Sequence, residues 1–155
     1  MKMKSKTYLI DTNILVYDLL EHYIEPLHQN MQSKLKKYHQ LKLEEIIIPT
    51  NIITEFENVY SRIILRKYHF TPEMLLEIQH EFTRQLDFLI NSCINLPVTF
   101  ADLEDAKNLY EQYKFQKISL TDCSLLAMTR NLKIQLLTAD QDLLAAAVQE
   151  NISTF

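Results

Sequence analysis

Residues 7–13 have the sequence TYLIDTN, a short apolar run followed at once by an acid. An apolar run of this length before a polar turn is typical of a buried β-strand. Residues 134–140, IQLLTAD, show the same arrangement near the other end of the chain. Both runs continue into segments with helical periodicity, and strands that alternate with helices indicate a parallel sheet with helices on both faces. The two stretches therefore predict an α/β fold with three layers, α/β/α.

The same alternation continues between these two stretches. Ile46–Ile48 is a second apolar strand that Pro49 closes, and residues 94–100 form a weak strand that Pro97 interrupts, as expected at a sheet edge. With a terminal strand at 152–155, about five short strands are predicted. Residues 21–43 are expected to form either a helix or an irregular arm. The predicted helices are 12–20, 52–66, 72–90, 102–113, 121–131 and 140–149.

Length and composition indicate one ordinary globular domain. The chain has 155 residues, 47% of them hydrophobic, and a net charge of −4, so we expect a single domain over residues 1–155. The negative charge argues against binding nucleic acid through bulk positive charge. It does not exclude a nuclease, because acids that hold a cation lower the formal charge themselves. The two cysteines suggest no disulfide framework and no apolar run resembles a membrane span, so we expect a cytoplasmic protein.

Glycine is absent from the sequence. Its absence excludes the glycine-rich dinucleotide turn and the phosphate-binding loop, because both need glycine for close approach of the backbone to phosphate. Helices that end in the left-handed conformation must use another residue. Asn is the usual second choice, and Asn91 and Asn131 stand where two helices are expected to end.

Four acids stand where a parallel sheet binds its ligands, outside the carboxyl ends of the strands. They are Asp11, Glu55, Asp122 and Asp140. Each acid also has a purely structural interpretation. Asp11 and Asp140 would cap the helices that follow them, and Asp122 would complete a capping box with Ser119. Glu55 and Glu57 both border the apolar stripe of their helix, so periodicity alone does not choose between them.

Taken together, the four acids predict a cation site. Carboxylates held close to one another cannot all ionise without compensation, and Mg²⁺ or Mn²⁺ provides it through the oxygen ligands that these ions prefer. Asp142 lies in a first helical turn, where acids are common because of the helix dipole, so we expect it to be mainly structural, with a supporting role at the site as the alternative. The five histidines show no metal-ligand spacing, so no zinc site is expected.

The chain resembles the PIN-domain family and, within it, the VapC-like toxin ribonucleases. Residues 9–13 (LIDTN) are similar to the family's first motif, Thr54-Glu55 to its second, residues 119–129 to its third and residues 136–143 to its fourth. The resemblance implies that the catalytic and metal-binding acids are Asp11, Glu55, Asp122 and Asp140. It thus selects Glu55 over Glu57 and Asp140 over Asp142. It also implies metal-dependent hydrolysis of RNA, an antitoxin partner and a homodimer.

Further polar residues are candidates for supporting roles. Thr12 and Asn13 either orient a water or a carboxylate, or simply begin a helix. Arg62 and Arg66 share one helix flank with Glu55, so they either contact RNA phosphate or are solvated. A second possible RNA contact consists of Lys34, Lys36 and Lys37.

Other interpretations remain open at this point. A non-catalytic PIN-like scaffold would bind nucleic acid or protein without cutting it. Haloacid-dehalogenase-type phosphatases are disfavoured because Asn13 stands where they carry a second Asp, and response-regulator receivers because no acid pair precedes a strand. The helices at 52–66 and 72–90 carry more apolar residues than one small sheet face needs, so they either cover a partner subunit or pack on each other. These residues include Leu75, Phe82, Leu86 and Phe88.

Overall fold

The computed structural model describes residues 6–24, 27–66 and 68–155. Its strands are short: β1 (Tyr8–Ile10), β2 (Ile46–Pro49), β3 (Ile94–Leu96) and β4 (Gln135–Leu137). The helices are α1 (Thr12–Leu20), α2 (Gln29–Gln40), α3 (Thr50–Arg66), α4 (Pro72–Asn91), α5 (Phe100–Tyr113), α6 (Leu120–Leu132) and α7 (Gln141–Gln149), with a 3-10 turn at Leu43–Glu45. The segment 21–43, which the sequence left open, therefore contains a regular helix.

The four strands form one parallel sheet in the order β3-β2-β1-β4. The chain moves from β1 through β2 to β3 in one direction and then crosses back to β4. Right-handed crossovers therefore place α5 and α6 on the face opposite α1 to α4. The helix contacts agree, because α1 packs against α2, α3 and α4, whereas α5 packs against α6. The predicted α/β fold with a parallel sheet is confirmed.

Two predicted strands are shorter than expected. The terminal strand at 152–155 is reduced to a single parallel bridge between Thr154 and Leu136. In the segment 94–100 only Ile94–Leu96 pairs with the sheet, and the strand ends before Pro97, which has no N–H to donate. This strand is at the sheet edge, as its proline predicted.

The centre of the sheet is fully buried on both faces. Leu9, Ile10, Ile48, Leu136 and Leu137 each have 0% of their surface exposed, and burying one such side chain contributes about 1.5–3 kcal/mol. This burial anchors β1 and β4, so the residues that directly follow these strands have well-defined positions. No helix among the described residues is long and apolar enough to cross a membrane.

Two helices end differently from the prediction. The residue that follows α4, Ser92, has a right-handed backbone, and the residue that follows α6, Lys133, is in the left-handed conformation with φ 55°. Neither Asn91 nor Asn131 is therefore the left-handed residue. After α7 that position is taken by Asn151, also with φ 55°.

Candidate active site

Asp11 follows β1 directly and is the N-cap of α1. Its side chain is 5% exposed. Oδ1 accepts the backbone N–H of Thr12 at 2.7 Å, and Oδ2 accepts the hydroxyl of Thr138 at 2.6 Å. Burial raises the pKa of Asp11 to about 7; the Thr138 hydrogen bond lowers the pKa, while repulsion from Asp122 and Asp140 raises it. Asp11 is thus both a helix cap and a buried acid with an electrostatically unfavourable charge.

Asp140 follows the end of β4 and is the N-cap of α7. Its Oδ1 accepts the backbone N–H groups of Asp142 and Leu143 at 2.9 and 3.0 Å. Its own backbone N–H donates to Thr138 Oγ1 at 3.1 Å. Asp142 is exposed, as expected for a first-turn acid.

Asp122 lies in the first turn of α6 and forms the predicted capping box with Ser119. Its Oδ2 accepts the Ser119 backbone N–H at 3.0 Å. The pKa of Asp122 is raised, mainly by burial; the bonds from Ser119 lower it, and repulsion from Asp140 and Glu55 raises it. Asp122 therefore caps α6 and also lies near enough to Asp140 and Glu55 to be repelled by them.

Glu55 lies on α3 and is half-buried. Its Oε1 is 3.7 Å from the guanidinium of Arg62, whose side chain is 62% exposed. Glu57 differs, since it is exposed and its carboxylate accepts the Ser61 hydroxyl at 2.8 Å. Of the two glutamates, Glu55 is the one that affects the pKa of Asp122.

The four acids come from four segments of the chain and interact electrostatically. Asp11 is repelled by Asp122 and Asp140, and Asp122 in turn by Asp140 and Glu55. Among the ion pairs of the described residues, only the Arg62 pair involves any of these acids. The side-chain donor atoms of these acids are all oxygen, the ligand type that Mg²⁺ and Mn²⁺ prefer.

A polar atom beside these acids also lacks a partner. Thr12 is 4% exposed, and its Oγ1 is buried without a hydrogen bond to any of the described residues. Buried hydroxyls normally have a partner. The carboxylate oxygens of the four acids are ligands that suit a hydrated divalent cation; within the described residues, no three of these acids have ligand atoms within 4.8 Å of one another. Asn13, the other predicted supporting residue, is half-buried.

A different group of potential ligands lies at the far end of α1. Within the described chain, Asp18, Glu21 and His39 bring their ligand atoms within 4.8 Å of one another. The His39 ring also contacts Asp18 Oδ1 at 2.5 Å, which ties α2 to α1. None of the four predicted acids belongs to this group.

The predicted basic contacts differ in exposure. Arg66, like Arg62, is exposed on α3. Lys34 is buried, and its ammonium lies 5.1 Å from the ring centre of Phe155. Lys37 lies 5.3 Å from the same ring. Lys34 therefore packs against the last residue of the chain, which disfavours its predicted contact with RNA.

Sequence reasoning did not single out Thr138 as a site residue. Its side chain is fully buried and its hydroxyl bonds to both Asp11 and the backbone of Asp140. The available signal was a hydroxyl residue at the end of a buried strand, two positions before an acid.

A family model for the PIN domain matches residues 8–149. The chain belongs to the PIN domain family. Its resemblance to this family, stated from the motifs, is thereby confirmed. No curated protein sequence matches the chain significantly.

Solved structures share the fold of this PIN domain. FitAcB from Neisseria gonorrhoeae is 14% identical with a TM-score of 0.63, and the match covers 96% of each chain. The VapC20 toxin of Mycobacterium tuberculosis, which cleaves the sarcin-ricin loop, is 14% identical with a TM-score of 0.63, over 90% of this chain and 95% of VapC20. FitAB bound to a DNA fragment is 15% identical with a TM-score of 0.60, over 96% of this chain and 94% of its own. These similarities establish the fold.

Proposed function

We propose that this PIN domain is a metal-dependent endoribonuclease that hydrolyses RNA phosphodiester bonds. The observation that carries the proposal is the buried carboxylate of Asp11, which Thr138 links to Asp140 and which has no ion-pair partner among the described residues. Such an arrangement is costly in a protein that binds no cation. Membership of the PIN family supports the same conclusion.

The proposed site consists of Asp11, Glu55, Asp122 and Asp140, which would hold Mg²⁺ or Mn²⁺ through carboxylate oxygens. When bound, such an ion activates a water and stabilises the leaving oxygen of the phosphodiester. Thr138 keeps Asp11 and Asp140 in a fixed relative position, because its hydroxyl bonds to both. Thr12, whose hydroxyl has no partner within the described part of the chain, and Asn13 would orient a water or a carboxylate.

We further propose that Arg62 and Arg66 contact the RNA backbone. Both are exposed on α3, and Arg62 already lies beside Glu55. An exposed Arg–Glu pair contributes little to folding, so Arg62 exchanges Glu55 for a phosphate at small cost. Guanidinium groups suit this role because they bind phosphate with two parallel hydrogen bonds.

Cleavage of RNA by the purified protein tests the proposal. Activity should require Mg²⁺ or Mn²⁺ and stop in EDTA, and Asp11→Asn should lower the rate by more than about 100-fold. Glu57→Gln and Asp142→Asn are matched controls and should keep normal activity. Asp18→Asn changes the separate group of Asp18, Glu21 and His39 and should also keep normal activity. Cleavage that persists in EDTA would contradict the metal requirement.

The non-catalytic scaffold is the alternative function, and the same assay separates it. A scaffold binds RNA or a protein partner, yet it leaves RNA intact at every metal concentration. Its binding would also be insensitive to Asp11→Asn. RNA binding without cleavage, together with that insensitivity, would favour the scaffold.

We propose that the biological role is that of a toxin in a toxin–antitoxin pair, acting as a cytoplasmic homodimer. The fold similarity to the VapC20 toxin and to FitAB supports this role.

Leu75 and Leu76 on α4 are 36% and 56% exposed, which leaves apolar surface for a partner subunit. Phe82, by contrast, stacks on Tyr60 within the chain, with ring centres 4.2 Å apart. Light scattering at micromolar concentration should give twice the monomer mass; a monomer would contradict the dimer.

A further inference from the structure

A polar bridge joins α3 to α6 beside two of the proposed site acids. Asn51 Nδ2 donates to Ser124 Oγ at 3.1 Å, across 73 residues of sequence. Ser124 Oγ in turn donates to the backbone carbonyl of Thr121 at 2.6 Å. Ser124 is 2% exposed and Asn51 is half-buried, so this link is partly shielded from water and joins the two helices at one point.

The bridge lies close in sequence to one acid on each helix. Asn51 precedes Glu55 by four residues, which places both on the same face of α3. Ser124 follows Asp122 by two residues in the first turns of α6, so the bond holds the helix that carries Asp122 without sharing a face with Asp122. Repulsion from Glu55 is one of the causes that raise the pKa of Asp122, so the spacing of these two acids affects the charge on Asp122. The Asn51–Ser124 hydrogen bond is a direct side-chain link between the two helices that carry these acids.

A contribution to folding alone does not account for Asn51. Its Oδ1 is buried and has no hydrogen-bond partner among the described residues. Leaving a buried carbonyl unpaired costs at least as much as one hydrogen bond contributes. A smaller apolar side chain would therefore serve the stability of the metal-free protein about equally well.

We propose that Asn51 and Ser124 are positioning residues, whose hydrogen bond sets the separation of Glu55 and Asp122 and so determines how tightly these acids hold a divalent cation. The inference rests on the proposed function, because it assumes that these acids bind the ion. Asn51 and Ser124 act through the acids, in the way that residues outside a metal's own ligands commonly orient those ligands.

Binding of Mn²⁺ alone, measured by calorimetry without RNA, tests the inference. Asn51→Ala and Ser124→Ala should each weaken Mn²⁺ binding by about 10- to 100-fold. The double variant should bind Mn²⁺ as tightly as the single variant with the larger loss, because both changes remove the same hydrogen bond. Without metal, the melting temperature of Asn51→Ala should stay within about 4 °C of the unmodified protein. Asn58→Ala, an exposed change on the same helix, is the matched control and should bind Mn²⁺ normally.

The possible failures are distinguishable. If both alanine variants bind Mn²⁺ normally while Asp11→Asn does not, the inference is wrong and the proposed function stands. A metal-free melting temperature lowered by much more than about 4 °C would make the bridge an ordinary folding contact and also overturn the inference. If the losses of Mn²⁺ affinity add up in the double variant, the two residues act independently, and the inference is wrong. If the unmodified protein binds Mn²⁺ no better than Asp11→Asn, both proposals fail.

Discussion

Thr138 Oγ1 donates a hydrogen bond of 2.6 Å to Asp11 Oδ2, although 127 residues separate the two in sequence. The backbone N–H of Asp11 also donates to the carbonyl of Leu137 at 3.0 Å. The pairing of β1 with β4 therefore determines where two acids lie relative to each other. Because the Thr138 hydroxyl also accepts the N–H of Asp140, one buried side chain connects both proposed ligands.

We therefore expect Thr138→Val to be costly despite its nearly unchanged shape. The variant leaves a carboxylate oxygen of Asp11 without its donor and the backbone N–H of Asp140 without its acceptor. Losing partners of buried groups costs about 1–3 kcal/mol, and Mn²⁺ binding should weaken by about 10- to 100-fold. Urea unfolding in EDTA and calorimetry with Mn²⁺ measure the two effects.

Thr129→Val is the matched control for that experiment. Thr129 is also fully buried, but its hydroxyl donates to the Leu125 carbonyl one turn earlier in the same helix. Such back-bonding is dispensable for the helix, so the control should bind Mn²⁺ normally. If both substitutions weaken Mn²⁺ binding equally, the prediction that Thr138 positions Asp11 and Asp140 is wrong.

Metal-free protein should lose stability as the pH rises from about 4 to about 7. Burial above all raises the pKa of Asp11 from 3.8 to about 7. Between these values the folded state keeps a proton that the unfolded state has released, so raising the pH favours unfolding. The urea midpoint in EDTA should therefore fall with pH, and Asp11→Asn should reduce that slope. A midpoint that rises with pH over this range would count against a buried, destabilised Asp11.

The sequence predicted the layout of the sheet well because its strands are continuous apolar runs. Runs of this kind are typical of strands buried on both faces, and they identified β1, β2 and β4. The last strand was overestimated, because only the Thr154–Leu136 bridge forms, and an apolar pattern does not reveal how many ladder bonds it will make. The burial of Lys34 could likewise not be predicted from the sequence, because it depends on tertiary packing against Phe155.

For the site, the sequence indicated the acids but not the contacts that hold them. Asp11 and Asp140 were conspicuous because each follows an apolar strand, whereas Glu55 needed the family resemblance, since periodicity did not separate it from Glu57. The Asn51–Ser124 bond was not predictable, because it joins side chains whose proximity only the fold defines. The placement of the four acids in one functional site remains a prediction.

Lys133→Gly should stabilise the protein. Lys133 ends α6 with φ 55° and ψ 45°, a conformation that costs a residue with a Cβ about 1–2 kcal/mol. Glycine avoids this cost but has more freedom in the unfolded chain, worth about 0.4–1 kcal/mol. A net gain of roughly 0.5–1 kcal/mol follows. Urea unfolding should show a smaller gain for Asn151→Gly, because Asn tolerates φ 55° better; equal gains would contradict the steric explanation.

Asp122→Asn separates the capping role of Asp122 from its proposed role as a ligand. Asn keeps a side-chain oxygen that accepts the Ser119 N–H, so the start of α6 loses only a dipole interaction of under about 1 kcal/mol. The same change removes a carboxylate that Asp140 and Glu55 repel. We therefore expect metal-free stability to be unchanged or slightly higher.

Cleavage, by contrast, should be lost or recovered only at much higher metal concentration, because a neutral amide attracts a divalent cation far less than a carboxylate does. Melting curves of Asp122→Asn with and without Mn²⁺, run beside the RNA cleavage assay, measure both halves of the prediction. The variant should show a much smaller Mn²⁺-induced rise in melting temperature than the unmodified protein, since ligand stabilisation depends on the dissociation constant. Normal cleavage at ordinary metal concentration would mean that Asp122 is a helix-capping residue and that three acids suffice.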